Sequence, residues 1–188
     1  MLKLNLIDFY SEHKTIDELN DTEEKTFRLD LLGEIIDKIN EYNEHVFEYE
    51  FLQKRKKLFE KGISFSFIEK PAIIKTKWTN LFTKNISKET KKNIFFDDYR
   101  WHVFSYKVLN ALEKDDARQA FNKCRKKEVY AFYQNKNEAF KINKASLLKS
   151  GDFDMDDDIY LFDPINKWTY VITHEKEQCG PYFYSLDI

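Results

Sequence analysis

Apolar residues recur at helical steps through the first third of the chain, alternate with small polar ones just beyond Gly62, and cluster as aromatic and β-branched runs through the last third. Leu29, Leu32, Ile36, Ile39 and Val46 follow one another three, four or seven positions apart, with Ile35, Tyr42 and Phe47 widening the stripe. That period predicts one long helix, or a hairpin of two, over the first 60 residues. Thr15-Ile16-Asp17-Glu18 and Asp21-Thr22-Glu23-Glu24 each place a capping oxygen three residues before a Glu, the arrangement that satisfies free N–H groups at a helix start. Acidic residues come early and Lys54-Arg55-Lys56-Lys57 and Lys61 late, in the order that suits a helix dipole, and Gly62 stands where a C-terminal cap belongs. Gly33 marks a close helix approach or a break.

Beyond Gly62 the period changes. Residues 63–68 alternate apolar and small polar side chains, as a half-buried strand does, and Pro71 ends the run. Lys77 to Phe82 and Ser87 to Phe96 read as short helices, with Ser87 as N-cap. Residues 101–106 fit either period. Asp115-Asp116 opens a helix in which Ala117, Ala120, Phe121 and Cys124 share a face. The rest is rich in Tyr, Phe, Trp, Val and Ile and predicts strands over 128–134, 139–143, 158–163, 167–174 and 181–187. Asp163-Pro164-Ile165-Asn166-Lys167 is a hairpin loop by composition. Helices first and strands afterwards, joined by short connections, predict an α+β fold. Its parts are a helical arm over residues 1–61 and a helix-plus-antiparallel-sheet domain over 62–188.

Composition narrows the function classes. With 4 Gly and 3 Pro in 188 residues, glycine-rich phosphate loops are excluded. No apolar run approaches the roughly 20 residues that span a bilayer. Met1 to Asp8 lacks the apolar stretch of a secretion signal, and two cysteines 55 positions apart make no disulfide framework, so a cytoplasmic protein is expected. The net charge of −2 conceals segregation: residues 1–50 carry −9, residues 51–150 carry +14 and residues 151–188 carry −7. Either the acidic ends neutralise the basic middle, or separate patches steer charged partners.

Motif-grade chemistry is sparse. His102, His174, Glu175 and Cys179 could pool as zinc ligands, but the residue four after His174 is Gln178 and the helical His spacing is not met. Asp152, Asp154, Asp156 and Asp158 mimic the start of a calcium loop, but Asp157 holds the position that needs Gly. Cys124 lies among cations, yet shares the apolar face of Phe121, which predicts an inert thiol. The basic middle, with Trp78, Trp101, Phe104, Tyr130 and Tyr133, could stack on a single nucleic-acid strand. The pI of about 6.1 and the lack of a binding motif disfavour that.

From Lys61 onward the chain resembles the bacterial family catalogued as domain of unknown function 4275. The resemblance rests on 61–63 leading to Trp78, then 101–106, 116–118 to Phe121, and 130–134. It continues through 158–160, 168–171 with 173–175, and 179–183. It implies no catalytic residue, and it marks Trp101, His102, Trp168, His174, Glu175 and Tyr182 as a shared surface or core. The sequence reading is therefore a non-enzymatic interaction protein, such as an immunity protein or inhibitor. Its acidic run Asp152, Asp154, Asp156, Asp157 and Asp158 would meet a cationic toxin or defence enzyme. No cofactor, metal or catalytic residue is expected. The alternatives are a metal-dependent hydrolase using His102, His174 and Glu175, and a nucleic-acid-binding protein. A homodimer through the N-terminal helix is a further expectation.

Overall fold

The computed structural model describes residues 14–186. The readings that fall on Met1 to Asp8 and on Asp187, and those on the side chains of Phe47 and Lys54, lie outside the described residues. The chain divides into two units, residues 1–56 and 57–188.

The first unit is dominated by a 33-residue helix, α1 (Thr22–Lys54), roughly 50 Å long at 1.5 Å per residue. The second of the two predicted caps starts it: the Asp21 carboxylate accepts from the N–H groups of Glu23 at 2.9 Å and Glu24 at 3.0 Å. Gly33 interrupts nothing. Leu32 is buried and Leu29, Ile36, Ile39 and Val46 are half-buried, but Ile35 and Tyr42 are exposed, so the apolar stripe is narrower than the sequence suggested.

The second unit opens where α2 (Lys56–Glu60) ends, in a Schellman cap. Gly62, at φ +80°, donates to the Phe59 carbonyl at 2.8 Å and Ile63 to that of Leu58 at 3.0 Å. The unit is built on a seven-stranded sheet. Its strands are β1 (Ser64–Phe67), β2 (Leu112–Glu113), β3 (Val129–Tyr133), β4 (Ala139–Asn143), β5 (Ile159–Asp163), β6 (Trp168–Ile172) and β7 (Tyr182–Ser185). Every pairing is antiparallel and the order is β1-β4-β3-β5-β6-β7-β2. The fold is α+β, with the five long predicted strands in place. The two-residue β2, too short to alternate, was invisible to periodicity.

Helices cover the sheet on both faces. On one lies α3 (Pro71–Phe82), which begins six residues before the predicted start because Pro71 opens the helix at its first turn as well as ending the strand. Its Ile74, Trp78 and Phe82 are buried at four-residue steps, and Trp78 meets Phe104, Phe132 and Tyr160 edge-on. The short helices α4 (Lys88–Asn93) and α5 (His102–Ser105) complete this layer, α4 capped by Ser87, whose Oγ accepts from Thr90 N–H at 3.0 Å. On the opposite face, α6 (Lys114–Lys123) presents Ala117 and Phe121, and the Phe121 ring stacks on Tyr170 at 4.4 Å.

Two polar devices key the elements together. The Trp78 indole N–H donates to Thr169 Oγ1 at 2.9 Å, and Thr169 donates in turn to the Leu161 carbonyl at 3.0 Å, joining α3 to β6 and β5. In the β5–β6 hairpin loop the fully buried Asp163 carboxylate accepts from Ile165, Asn166, Lys127 and Glu128 N–H groups and from the Asn166 amide. Burial alone would raise its pKa, but these hydrogen bonds outweigh it and hold the carboxyl below its ordinary value.

Thr169→Val keeps the shape and strands the Trp78 donor. It is expected to cost about 1–3 kcal/mol in urea unfolding, and far less in a Trp78→Phe background, where no donor remains to be stranded. Asp163 stabilises the fold fully above the carboxyl's unfolded pKa of about 3.9, and that contribution is lost as pH falls toward the lower folded value. The stability gap between wild type and Asp163→Asn should therefore be largest near neutrality and close below about pH 4, as denaturation across that range will show.

Candidate functional site

The β5–β6 register pairs Ile159 with Ile172, so Asp158, just before β5, lies at the same sheet end as His174, two residues past β6. Asp158 adopts φ +52°, a left-handed backbone that Asp tolerates better than most residues, and its carbonyl accepts from Gln134 N–H at 2.9 Å. Its carboxylate, 8% exposed with its residue, becomes the hub of a cluster. It accepts from the Trp101 indole at 3.0 Å, from His174 N–H at 3.2 Å and from His174 Nδ1 at 2.9 Å. Trp101 is fixed a second time, its backbone N–H donating to the Tyr160 hydroxyl at 2.9 Å. Complete burial pushes the Tyr160 phenol well above its ordinary pKa.

From this hub a row of rings reaches the surface. Tyr99 packs against His174 at 4.8 Å and His102 at 5.5 Å, and His102 against Tyr106 at 5.4 Å. His102 Nδ1 sits 2.7 Å from the Ile94 carbonyl and 3.2 Å from that of Phe95. Carbonyls only accept, so His102 Nδ1 carries the hydrogen, and in both neutral histidines Nε2 is left as the ring's acceptor. His174 Nε2 has Glu175 at 3.7 Å. The patch therefore combines rings fixed by hydrogen bonds with histidine Nε2 atoms left as acceptors.

Of the shared-motif residues, Trp101, Trp168 and Tyr182 are core and His102, His174 and Glu175 lie at the surface. Most of the acidic run has partners within the chain. Asp152 accepts from Lys149 N–H at 2.7 Å, Asp154 from Arg118 at 2.7 Å, and Asp156 from the Tyr133 hydroxyl; Asp158 holds Trp101 and His174. Asp156 and Asp158 are buried, which leaves Asp157, paired with Lys176 at 3.1 Å, as the most exposed of the five. The same divergence removes the calcium-loop reading. No group of three or more His, Cys, Asp or Glu is arranged to hold a metal among the described residues, so the pooling of His102, His174, Glu175 and Cys179 is not met. The proposed stacking aromatics Trp78, Trp101, Phe104 and Tyr133 are buried. Burial pushes the Cys124 thiol up to about 11, so it is no nucleophile near neutrality. Sequence reasoning missed Tyr99, which lies outside the quoted motifs, and met Tyr106 only as the end of the 101–106 run; both become significant beside His102.

Neutral His174 and His102 are expected to be Nδ1–H tautomers, read from long-range ¹⁵N–¹H correlation spectra; an Nε2–H ring at either position contradicts this geometry. Asp158→Asn should cost about 1–3 kcal/mol and free the His174 ring without altering the His102 spectrum.

No curated protein and no solved structure matches the chain. One family does: its sequence model matches residues 52–183, which takes in Trp101, His102, Asp158 and His174. The chain thus belongs to the family described as domain of unknown function (DUF4275).

Proposed function

We propose that the protein is a non-enzymatic interaction protein that binds another protein through the Tyr99–His102–Tyr106–His174 patch. The observation that carries this is the patch's combination of rigidity and exposure. Asp158 and Tyr160 fix it from below, while Tyr106 remains 52% exposed beside the His102 ring. Tyrosines held in one rotamer bury large area at small entropic cost, which is how binding hot spots are built. Charge supplies the partner's character. Helix α1 holds 9 Asp+Glu against 4 Lys+Arg, a surface that speeds encounter with a cation-rich protein. An immunity protein or inhibitor that occludes a basic toxin or defence enzyme fits both features. Two free cysteines favour action in a reducing bacterial cytoplasm.

A second reading, acid–base catalysis, is favoured by one detail: a buried carboxylate on His174 Nδ1 with Nε2 left as the acceptor is how a general base is oriented. His174→Gln separates the two, since it abolishes any turnover by such a base while leaving Tyr99 and Tyr106 in place.

Affinity capture with the full chain from its native host, with Tyr106→Ala as matched control, tests the interaction reading. The wild type is expected to return one stoichiometric basic partner. The variant should bind it at least tenfold more weakly, about 1.4 kcal/mol, with unchanged melting temperature. Raised salt should slow association more than it speeds dissociation. Equal recovery by both proteins would remove the patch from the interface.

A further inference from the structure

The Schellman cap that Gly62 closes is built a second time at the end of α4, with Phe95 in the glycine's place. Phe95 N–H donates to the Lys92 carbonyl at 3.1 Å and Phe96 N–H to that of Lys91 at 3.0 Å, while Phe95 sits at φ +52°. A left-handed backbone is unfavourable for any side chain with a Cβ, and most unusual for a bulky one. The other positive-φ non-glycine residues described are lysines and Asp158. Nor does burial compensate, because Phe95 is 58% exposed. The ring thus contributes little that the fold needs, and strain of this kind concentrates at functional positions.

Its surroundings supply a use. Phe95 lines a cavity of about 560 Å³ together with Lys88, Lys91, Lys92 and Thr79, over a floor formed by the buried Phe96. None of the three lysines has a carboxylate at ion-pairing distance among the described residues. Behind the wall lie two further cations. Arg100 donates to Thr79 Oγ1 at 3.4 Å and to Gln134 Oε1 at 3.1 Å, and Lys75 to the Gln134 carbonyl at 3.0 Å. Desolvation lowers the pKa of both. Their hydrogen-bond partners are neutral, and the nearby carboxylates Asp97 and Glu138 offset the positive field only in part, since desolvation remains the larger influence on both cations. Asp97 and Asp98 line the same cavity, with carboxylates able to accept hydroxyl hydrogens.

We propose that this cavity is a binding site for a nucleoside polyphosphate, with the base on the Phe95 ring, the phosphates on Lys88, Lys91 and Lys92, and the sugar hydroxyls toward Asp97 and Asp98. The volume falls in the range of small-molecule sites, and a planar ring beside mobile ammonium groups matches a ligand that is aromatic at one end and polyanionic at the other. The site is separate from the ring patch, although the His102 Nδ1 bonds to the Ile94 and Phe95 carbonyls tie the two together.

Isothermal titration of the full-length chain with ATP and GTP tests the site, with adenosine, inorganic triphosphate and a hexathymidylate as comparisons. ATP or GTP is expected to bind at least tenfold more tightly than adenosine or triphosphate alone. Lys91→Gln/Lys92→Gln should weaken it at least tenfold with an unchanged melting temperature. Phe95→Gly separates function from fold. Relief of the left-handed strain should raise the melting temperature by about 2–4 °C while nucleotide affinity falls at least tenfold. Absence of heat with ATP and GTP up to about 1 mM overturns the proposal, as does unaltered binding by Phe95→Gly. Tighter binding of the hexathymidylate than of ATP overturns it in favour of a nucleic-acid strand.

Discussion

β5 and β6 are buried on both faces, and most of the second unit's polar architecture follows from that. An antiparallel sheet commonly leaves one face to water, but here every residue from Ile159 to Asp163 and from Trp168 to Ile172 is buried. Most hydrogen-bonding groups on or above these strands then find a partner inside the protein, the Tyr170 hydroxyl being an exception. Trp78 finds Thr169, the Trp168 indole finds the Arg125 carbonyl at 2.8 Å, Trp101 finds Tyr160 and Asp158, and Asp163 collects the loop N–H groups. Each pairing is also a positional constraint, because the donor helix or turn can sit in only one register over the sheet. Side chains that look like chemistry in the sequence are in good part the fittings of a two-sided core.

The candidate site is the place where that system of fittings reaches the surface. Asp158 is buried like the other acceptors, but one of its donors, His174, has its side chain 36% exposed. A surface histidine is thereby held as firmly as a core residue, and Tyr99 and His102 are packed against it. Exposed side chains usually surrender rotamer entropy on binding; these have already lost it in folding. The cluster is thus preorganised through the need to satisfy the Trp101 indole, and its stiffness is inherited from the core.

How much of this the sequence made legible depends on whether a feature is local. The Asp21 cap, the Ser87 cap, the Gly62 terminus and the Asp163 hairpin loop are short-range devices, and each stands where the residue pattern placed it. Composition located the five longer strands where two-sided burial erases alternation, since β-branched and aromatic residues dominate both faces. The start of α3 was misjudged because Pro71 serves two elements, and β2 has too few residues for a period. The internal partners of the acidic run were hidden for a different reason. Composition counts charges but not their partners, and the partners of Asp154, Asp156 and Asp158 come from residues 101 to 174. Phe95 is the extreme case, since nothing in a Phe-Phe-Asp-Asp stretch announces a left-handed backbone.

The near-zero net charge takes on physical meaning at this level. Within the second unit, charges from different sequence blocks do meet: Lys61 lies 3.8 Å from Asp152 and Arg118 lies 2.7 Å from Asp154, so part of the C-terminal acidity is matched against the basic middle. Such pairing is local, and screening confines its reach to about 8–10 Å at physiological salt. Lys88, Lys91 and Lys92 of α4 face a cavity and take part in no such pair among the described residues, while in the first unit Glu24 and Glu41 pair with Arg28 and Lys38 of α1 itself. Cancellation over the whole chain therefore coexists with an acidic excess on α1 within the first unit and a cationic recess within the second. A protein of this charge pattern can present a cationic recess to one ligand and an acidic helix to another, although its summed charge favours neither.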